Sequence, residues 1–146
     1  MRDGIKGGPV GRQVPFANIF NQAGVKFNIS PWLFASFASQ ESSFDPKVVS
    51  DDGGYGLFQI TSMKLENWDD PLTNTNCAGE NYIKPAYDYW VGQGMQGDDL
   101  IRCTGASFNG GLGGAQAGHA RGDVDLYTTN NYGARLVATF HSLIGD

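Results

Sequence analysis

Glu41 stands where an apolar helical stripe calls for leucine or alanine. Ser30-Pro31 reads as an N-cap followed by a proline suited to a first helical turn, and the helix it opens runs over residues 32 to about 43. Leu33, Phe34, Phe37 and Ala38 form the apolar face, and Glu41 lies four residues after Phe37 and seven after Phe34. A carboxylate there is either paired in the core or set in a cleft to do acid chemistry. That helix carries no evident basic partner, which favours the acid. Apolar neighbours disfavour the charged form and raise the carboxyl's pKa, as a general acid working near neutrality requires.

Other segments could hold a substrate. Residues 50–56 (SDDGGYG) form a turn-rich loop before a short apolar run around Gln59, either a small strand or a turn into residues 62–67. Asn109 opens a glycine-rich corner, NGGLGG, read as flexible and followed by a long polar loop to about residue 130. Tyr132, four residues before Leu136, looks inward from the last helix. Trp32 and Trp90 read as core. His119 and His141 are isolated, and no Cys/His cluster has metal-site spacing, so no metal or other cofactor is expected. Cys77 and Cys103 are either a disulfide or two unrelated buried thiols; the even count favours the bridge and an oxidising compartment.

The elements that must position these groups are mostly helical. The periodicity predicts helices over 14–23 with a stop at Gly24, over 77–90 kinked at Pro85, from a cap at Asp98 through Phe108, and from Asn131 to the end. Asp45-Pro46 and Asp69-Asp70-Pro71 read as breaks. Residues 1–13 read as a flexible, Gly-rich lead-in, with Met1 either native or an expression start; residues 14–146 read as one domain. At 40% hydrophobic and 12% aromatic residues, one real core is affordable. The 21 glycines have no fixed period, which excludes a repeat protein. A net charge of −5 excludes a nucleic-acid binder, whose partner demands a basic face, and sits poorly with anionic walls, while a neutral polysaccharide is indifferent to it. No apolar run is long enough to cross a membrane, and no signal-peptide stretch is present.

Four segments together carry a resemblance: Glu41-Ser42-Ser43-Phe44 with Asp45-Pro46, Gly56-Leu57-Phe58-Gln59-Ile60, Ala106-Ser107-Phe108-Asn109-Gly110-Gly111, and Asn131-Tyr132-Gly133. In this order they resemble the catalytic domain shared by goose-type lysozymes and soluble lytic transglycosylases, whose patterns are E-S-x-F-x-P, G-L-x-Q, A-Y-N-x-G and a late N-Y-V. The resemblance spans roughly residues 30–144. It implies a mainly α, lysozyme-like domain with little or no β-sheet. It also implies that Glu41 protonates a glycosidic oxygen, that Gln59 and Asn109 bind sugar groups, that Gly56 keeps its loop close to the sugar, and that Tyr132 holds the acid's rotamer. Phe108 departs from the family tyrosine and leaves stacking alone.

A lytic transglycosylase needs only the acid, whereas a hydrolase needs a second carboxylate. Acids that goose-type lysozymes carry align with Ser50 and Thr61, where the charge is lost. Asp51, Asp52, Asp69 and Asp70 are substitutes, and Asp123 and Asp125, in the loop before the last helix, are the favoured catalytic pair because such a loop could bring a base over the groove. The resemblance thus implies cleavage of β-1,4 bonds in peptidoglycan. Inverting hydrolysis of chitin is the enzyme alternative, and a non-catalytic sugar-binding or phage-structural domain the other. A polysaccharide partner, a monomer, and a secreted, extracytoplasmic or virion-associated location are expected.

Overall fold

The computed structural model describes residues 3–61 and 65–145. Met1, and Ser62 to Lys64 of the segment expected to follow Gln59, lie outside the described residues. Seven α-helices and one π-helical turn account for the regular structure among the described residues. Two isolated β-bridges, Val49 with Tyr55 and Tyr55 with Ile60, stand where a small strand was one expectation. Where sequence sets one domain after a lead-in, the described chain divides into two compact units: Gly7–Asn81, and the chain up to Lys6 together with that from Tyr82 onward.

The first unit is built on α1 (Ala17–Phe27) and α2 (Pro31–Ser42). The helix expected over 14–23 instead begins at Ala17, because Phe16 turns left-handed (φ 58°), and it passes through Gly24 to stop at Asn28 (φ 54°). Gly24 serves packing: a Cβ there would lie 3.0 Å from both the Ile29 carbonyl oxygen and the Pro31 ring. Phe20, Ala23, Gly24 and Phe27 fall on one stripe and are buried. Phe34 of α2 meets Phe27 and Phe58 with ring centroids 5.8 and 6.4 Å apart, and Phe20 meets Phe58 at 6.2 Å, so the core is a cluster of tilted and edge-on phenylalanines. α2 is buried on every side from Trp32 to Ala38. The short α3 (Pro71–Ala78) was not expected. Its Asp-Pro start is an N-cap and first-turn proline, not a break: Asp70 accepts the Thr73 N–H at 2.9 Å.

The π-helical turn Gly79–Ile83 leads into α4 (Lys84–Gly92). The kink expected at Pro85 is taken up this way, since a ring that offers no N–H tolerates a widened turn before it. The second unit continues with α5 (Gly97–Gly110), α6 (Leu112–Ala120) and α7 (Tyr132–Ile144). α5 and α7 pack closely at Gly105, where a Cβ would lie 2.8 Å from Leu136 Cδ2. Trp90 Nε1 donates to Ser107 Oγ at 2.8 Å inside this core. The stretch expected as a loose lead-in makes tertiary contacts in both units. Ile5 and Val10 are buried, the Tyr87 hydroxyl donates to Asp3 at 2.5 Å, and Asn21 exchanges hydrogen bonds with the Val10 backbone at 2.7 and 3.1 Å.

Candidate functional site

Glu41 emerges, partly exposed, from the last turn of an otherwise buried helix. Its place is fixed by its neighbour. Ser42 Oγ, buried, donates to the Ala38 carbonyl at 3.1 Å and to the Leu57 carbonyl at 2.8 Å, so the end of α2 is tied to the turn that follows Gly56. Ser43 and Phe44 both adopt left-handed backbone (φ 53° and 63°), which ends the helix two residues beyond the acid.

The turn has its own scaffold. Gly56 (φ 76°) is buried, and a Cβ there would fall 2.5 Å from Asn74 Nδ2 and 2.6 Å from the Trp68 carbonyl oxygen. Only glycine fits. Asn74, wholly buried in α3, accepts the Phe58 N–H at 2.8 Å and donates to the Tyr55 and Trp68 carbonyls, each at 3.0 Å. No sequence pattern marks Asn74, because its three partners lie elsewhere in the chain. Gln59, expected to bind sugar, spends its amide nitrogen on the Val48 and Gly56 carbonyls at 3.0 Å each, with its own backbone left-handed (φ 52°). Its amide shapes the turn.

In the second unit, Phe108 lies between Tyr82 (edge-on, 6.1 Å) and Tyr132 (near-parallel, 6.3 Å), so Phe108 and Tyr132 are brought together. Asn109 is exposed and its Oδ1 accepts the Thr129 N–H at 2.8 Å, which fastens the loop before α7 to the end of α5. The NGGLGG corner is a sharp helix-to-helix joint at Gly111 (φ 81°), and the first part of the expected polar loop belongs to α6.

Of Asp125 and Asp123, expected to supply a water-activating base, the structure seals Asp125 and leaves Asp123 half-exposed in an ion pair. The Asp125 side chain is 0% exposed and pairs with Arg102 Nε at 2.7 Å. Its oxygens also accept the Gly133 and Ala134 N–H groups and the Thr128 hydroxyl. Burial pushes this carboxyl's pKa up, but the bonds from Arg102, Gly133, Thr128 and Ala134 together hold it below the usual value. A base must meet water, and this one is sealed. Asp123 is bound to Arg102 Nη2 at 3.1 Å and to the Asp125 N–H at 2.9 Å. The other acids are exposed, three of them already engaged. Asp70 caps α3, Asp69 meets Lys47 at the surface (3.5 Å), Asp52 accepts from Ser50 Oγ, and Asp51 is exposed in a turn. Arg102 is the residue that sequence reasoning missed; a lone cation beside an apolar stripe, with two aspartates downstream, is the available signal.

The expected disulfide is absent: Cys77 and Cys103 are both buried free thiols. Cys77 Sγ accepts from Asn81 Nδ2 at 3.6 Å, and Cys103 is enclosed within α5's buried face in the other unit. Burial raises both thiol pKa values, that of Cys103 to about 11. Both are therefore expected to resist a thiol reagent at neutral pH in the folded protein and to react fully once it is unfolded without reductant. Fewer than two reactive thiols per unfolded chain would restore the bridge. Among the described residues, no group of three or more His, Cys, Asp or Glu is placed to hold a metal ion, and no helix is long and apolar enough to cross a membrane.

Residues 18–123 match the family model of the transglycosylase SLT domain. The chain belongs to the SLT domain family. The match takes in Glu41, Gly56, Gln59, Phe108 and Asn109, while Tyr132 lies beyond it. Among 16 matching chains of solved structures is the 70 kDa soluble lytic transglycosylase SLT70 from Escherichia coli, with a TM-score of 0.61 and 23% identity. The similarity covers 90% of this SLT domain and 25% of the SLT70 chain, so the domain spans about a quarter of that protein's length. The likeness supports the mainly helical, lysozyme-like fold. No curated protein sequence matches significantly.

Proposed function

We propose that this SLT domain cleaves the β-1,4 bonds of peptidoglycan as a lytic transglycosylase, with Glu41 as both acid and base. The observation that carries the reading is a contrast. Glu41 is a partly exposed carboxylate at the end of a buried helix, while Asp125 is sealed, Asp123 and Asp69 are held in ion pairs, Asp70 caps α3, and Asp51 and Asp52 lie in an outer turn. A single-acid reaction fits that inventory. Glu41 donates its proton to the glycosidic oxygen as the C1–O bond breaks. The 6-hydroxyl of the same muramic ring then closes on C1 and returns its proton to Glu41. No water is consumed, and the tethered hydroxyl's high effective concentration supplies what a second carboxylate would.

Phe108, Asn109 and Tyr132 remain proposed sugar-site residues of the second unit. Asn109 keeps its amide nitrogen for a ligand while its oxygen holds Thr129. The family description favours peptidoglycan over chitin. Such a substrate lies outside the cytoplasmic membrane, so an extracytoplasmic place of action goes with the proposal.

Mass spectrometry of products from purified peptidoglycan tests it. The expected products carry 1,6-anhydro ends, each lighter by one water than a hydrolysed end. Hydrolysed reducing ends, or cleavage of chitin oligomers in preference to peptidoglycan, would favour a hydrolase with an unrecognised base. Binding without cleavage would favour a sugar-binding module.

A further inference from the structure

Two aromatic side chains meet at the surface of the unit that carries Glu41. Tyr55 and Trp68 are both partly exposed, with ring centroids 5.4 Å apart and planes tilted by 58°. Trp32 and Trp90, by contrast, are buried, at 8% and 1% exposure.

The backbones beneath the two rings are fixed by buried bonds. One amide nitrogen, Asn74 Nδ2, donates to the Tyr55 and the Trp68 carbonyls, each at 3.0 Å. Tyr55 also exchanges backbone hydrogen bonds with Ile60 at 3.1 and 3.0 Å and bridges to Val49. Gly56 lets the Trp68 backbone come close, since a Cβ there would lie 2.6 Å from the Trp68 carbonyl oxygen. The outer ends of the rings are not spent in this way. Among the described residues, neither the Tyr55 hydroxyl nor the Trp68 Nε1 has a hydrogen-bond partner in the protein. The pair is also continuous with the acid's helix. Ser42, next to Glu41, donates at 2.8 Å to the carbonyl of Leu57, two residues on from Tyr55. Asn74 Oδ1 accepts the following N–H, that of Phe58, so one side chain ties that turn to both aromatic residues.

Two held rings with unspent donors have the chemistry to take a pyranose. A sugar ring has an apolar face of C–H groups and a rim of oxygens. The face of an aromatic ring carries negative charge density that attracts the first, and O–H and N–H donors suit the second. Because the backbone is already fixed, little ordering is lost on binding. We propose that Tyr55 and Trp68 form a platform that holds one pyranose of the glycan strand beside the Glu41 helix, contributing to substrate affinity and not to the chemical step. The proposal rests on reading this domain as a glycan-cleaving enzyme for the identity of its ligand.

The test reads binding separately from cleavage. Soluble glycan strands freed of stem peptides are added to the full chain carrying Glu41→Gln, which leaves them intact. Acrylamide quenching of tryptophan fluorescence reports on Trp68, its contribution assigned from its loss in Trp68→Phe. Bound strands are expected to shield Trp68 saturably. In the otherwise wild-type chain, Tyr55→Ala and Trp68→Ala should each raise KM for the same strands on the order of tenfold, the scale of a lost stacking contact, with kcat unchanged. Asn74 holds main-chain atoms, so both truncations leave the scaffold in place; if one fails to fold, the shielding decides alone. Strands that bind but leave Trp68 open to acrylamide, strands that do not bind, or folded alanine variants with unchanged KM overturn the proposal. If the wild-type chain cleaves no glycan while bound strands shield Trp68, the functional reading fails and the platform stands.

Discussion

Glu41→Gln is expected to lower turnover on peptidoglycan by at least about a hundredfold, the lower end of what a positioned acid contributes. The substitution keeps the side chain's shape but removes the proton that the leaving oxygen needs. Because Glu41 is partly exposed at a helix end, with the buried Ser42 bonds holding the turn behind it, the fold should survive. An unchanged melting temperature with strongly reduced release of soluble muropeptides is the expected pair of results. Near-wild-type release by a folded Glu41→Gln protein would remove Glu41 from the mechanism.

Asp125→Ala should do the reverse, costing stability first. It takes from Arg102 its closer partner, leaving Asp123, and leaves the Gly133 and Ala134 N–H groups without acceptors. Leaving a buried donor without its acceptor costs about 1–3 kcal/mol, a sizeable part of the ~5–15 kcal/mol that holds a typical domain together. Urea unfolding at neutral pH would measure it. The pH dependence has a definite sign. Asp125's pKa is lower in the folded protein than in the unfolded chain, so its stabilisation is complete above the ordinary carboxylate range and fades as pH falls through the folded value. The gap between wild type and Asp125→Ala should therefore narrow on acidification below about pH 4. A loss under about 1 kcal/mol at neutral pH, beneath the range for a stranded buried donor, would mean that the carboxylate is not carrying the loop.

The helix that presents Glu41 is legible in sequence because local signals agree: Ser30-Pro31 opens it, Phe34 and Phe37 set its phase, and it ends within a residue of the expected place. α7 is legible for the same reason, with Tyr132, Leu136 and Phe140 at regular spacing and all buried. α6 is not. Gly113, Gly114 and Gly118 give it poor helix propensity, and what favours it is tertiary: a Cβ at Gly118 would lie 2.5 Å from the Asp123 carbonyl oxygen. The candidate site divides along the same line. Glu41 betrays itself by interrupting a stripe. Asp125 looks like any aspartate in a polar loop, since the cation and helix start that bury it are distant in sequence. Gln59 has the right type for sugar binding, and only the turn geometry shows its amide engaged with backbone.

The fit of Gly133 against Arg102 and Asp125 also limits how this domain can change by descent. A side chain gained at position 133 meets a backbone oxygen, loss of Arg102 leaves the Asp125 carboxylate buried without its counterpart, and loss of Asp125 leaves the Gly133 and Ala134 N–H groups without acceptors. Each single step from this arrangement toward a bulkier residue passes through a weakened protein. The three positions are therefore tied together as one heritable trait, open to replacement as a set and resistant to replacement one at a time.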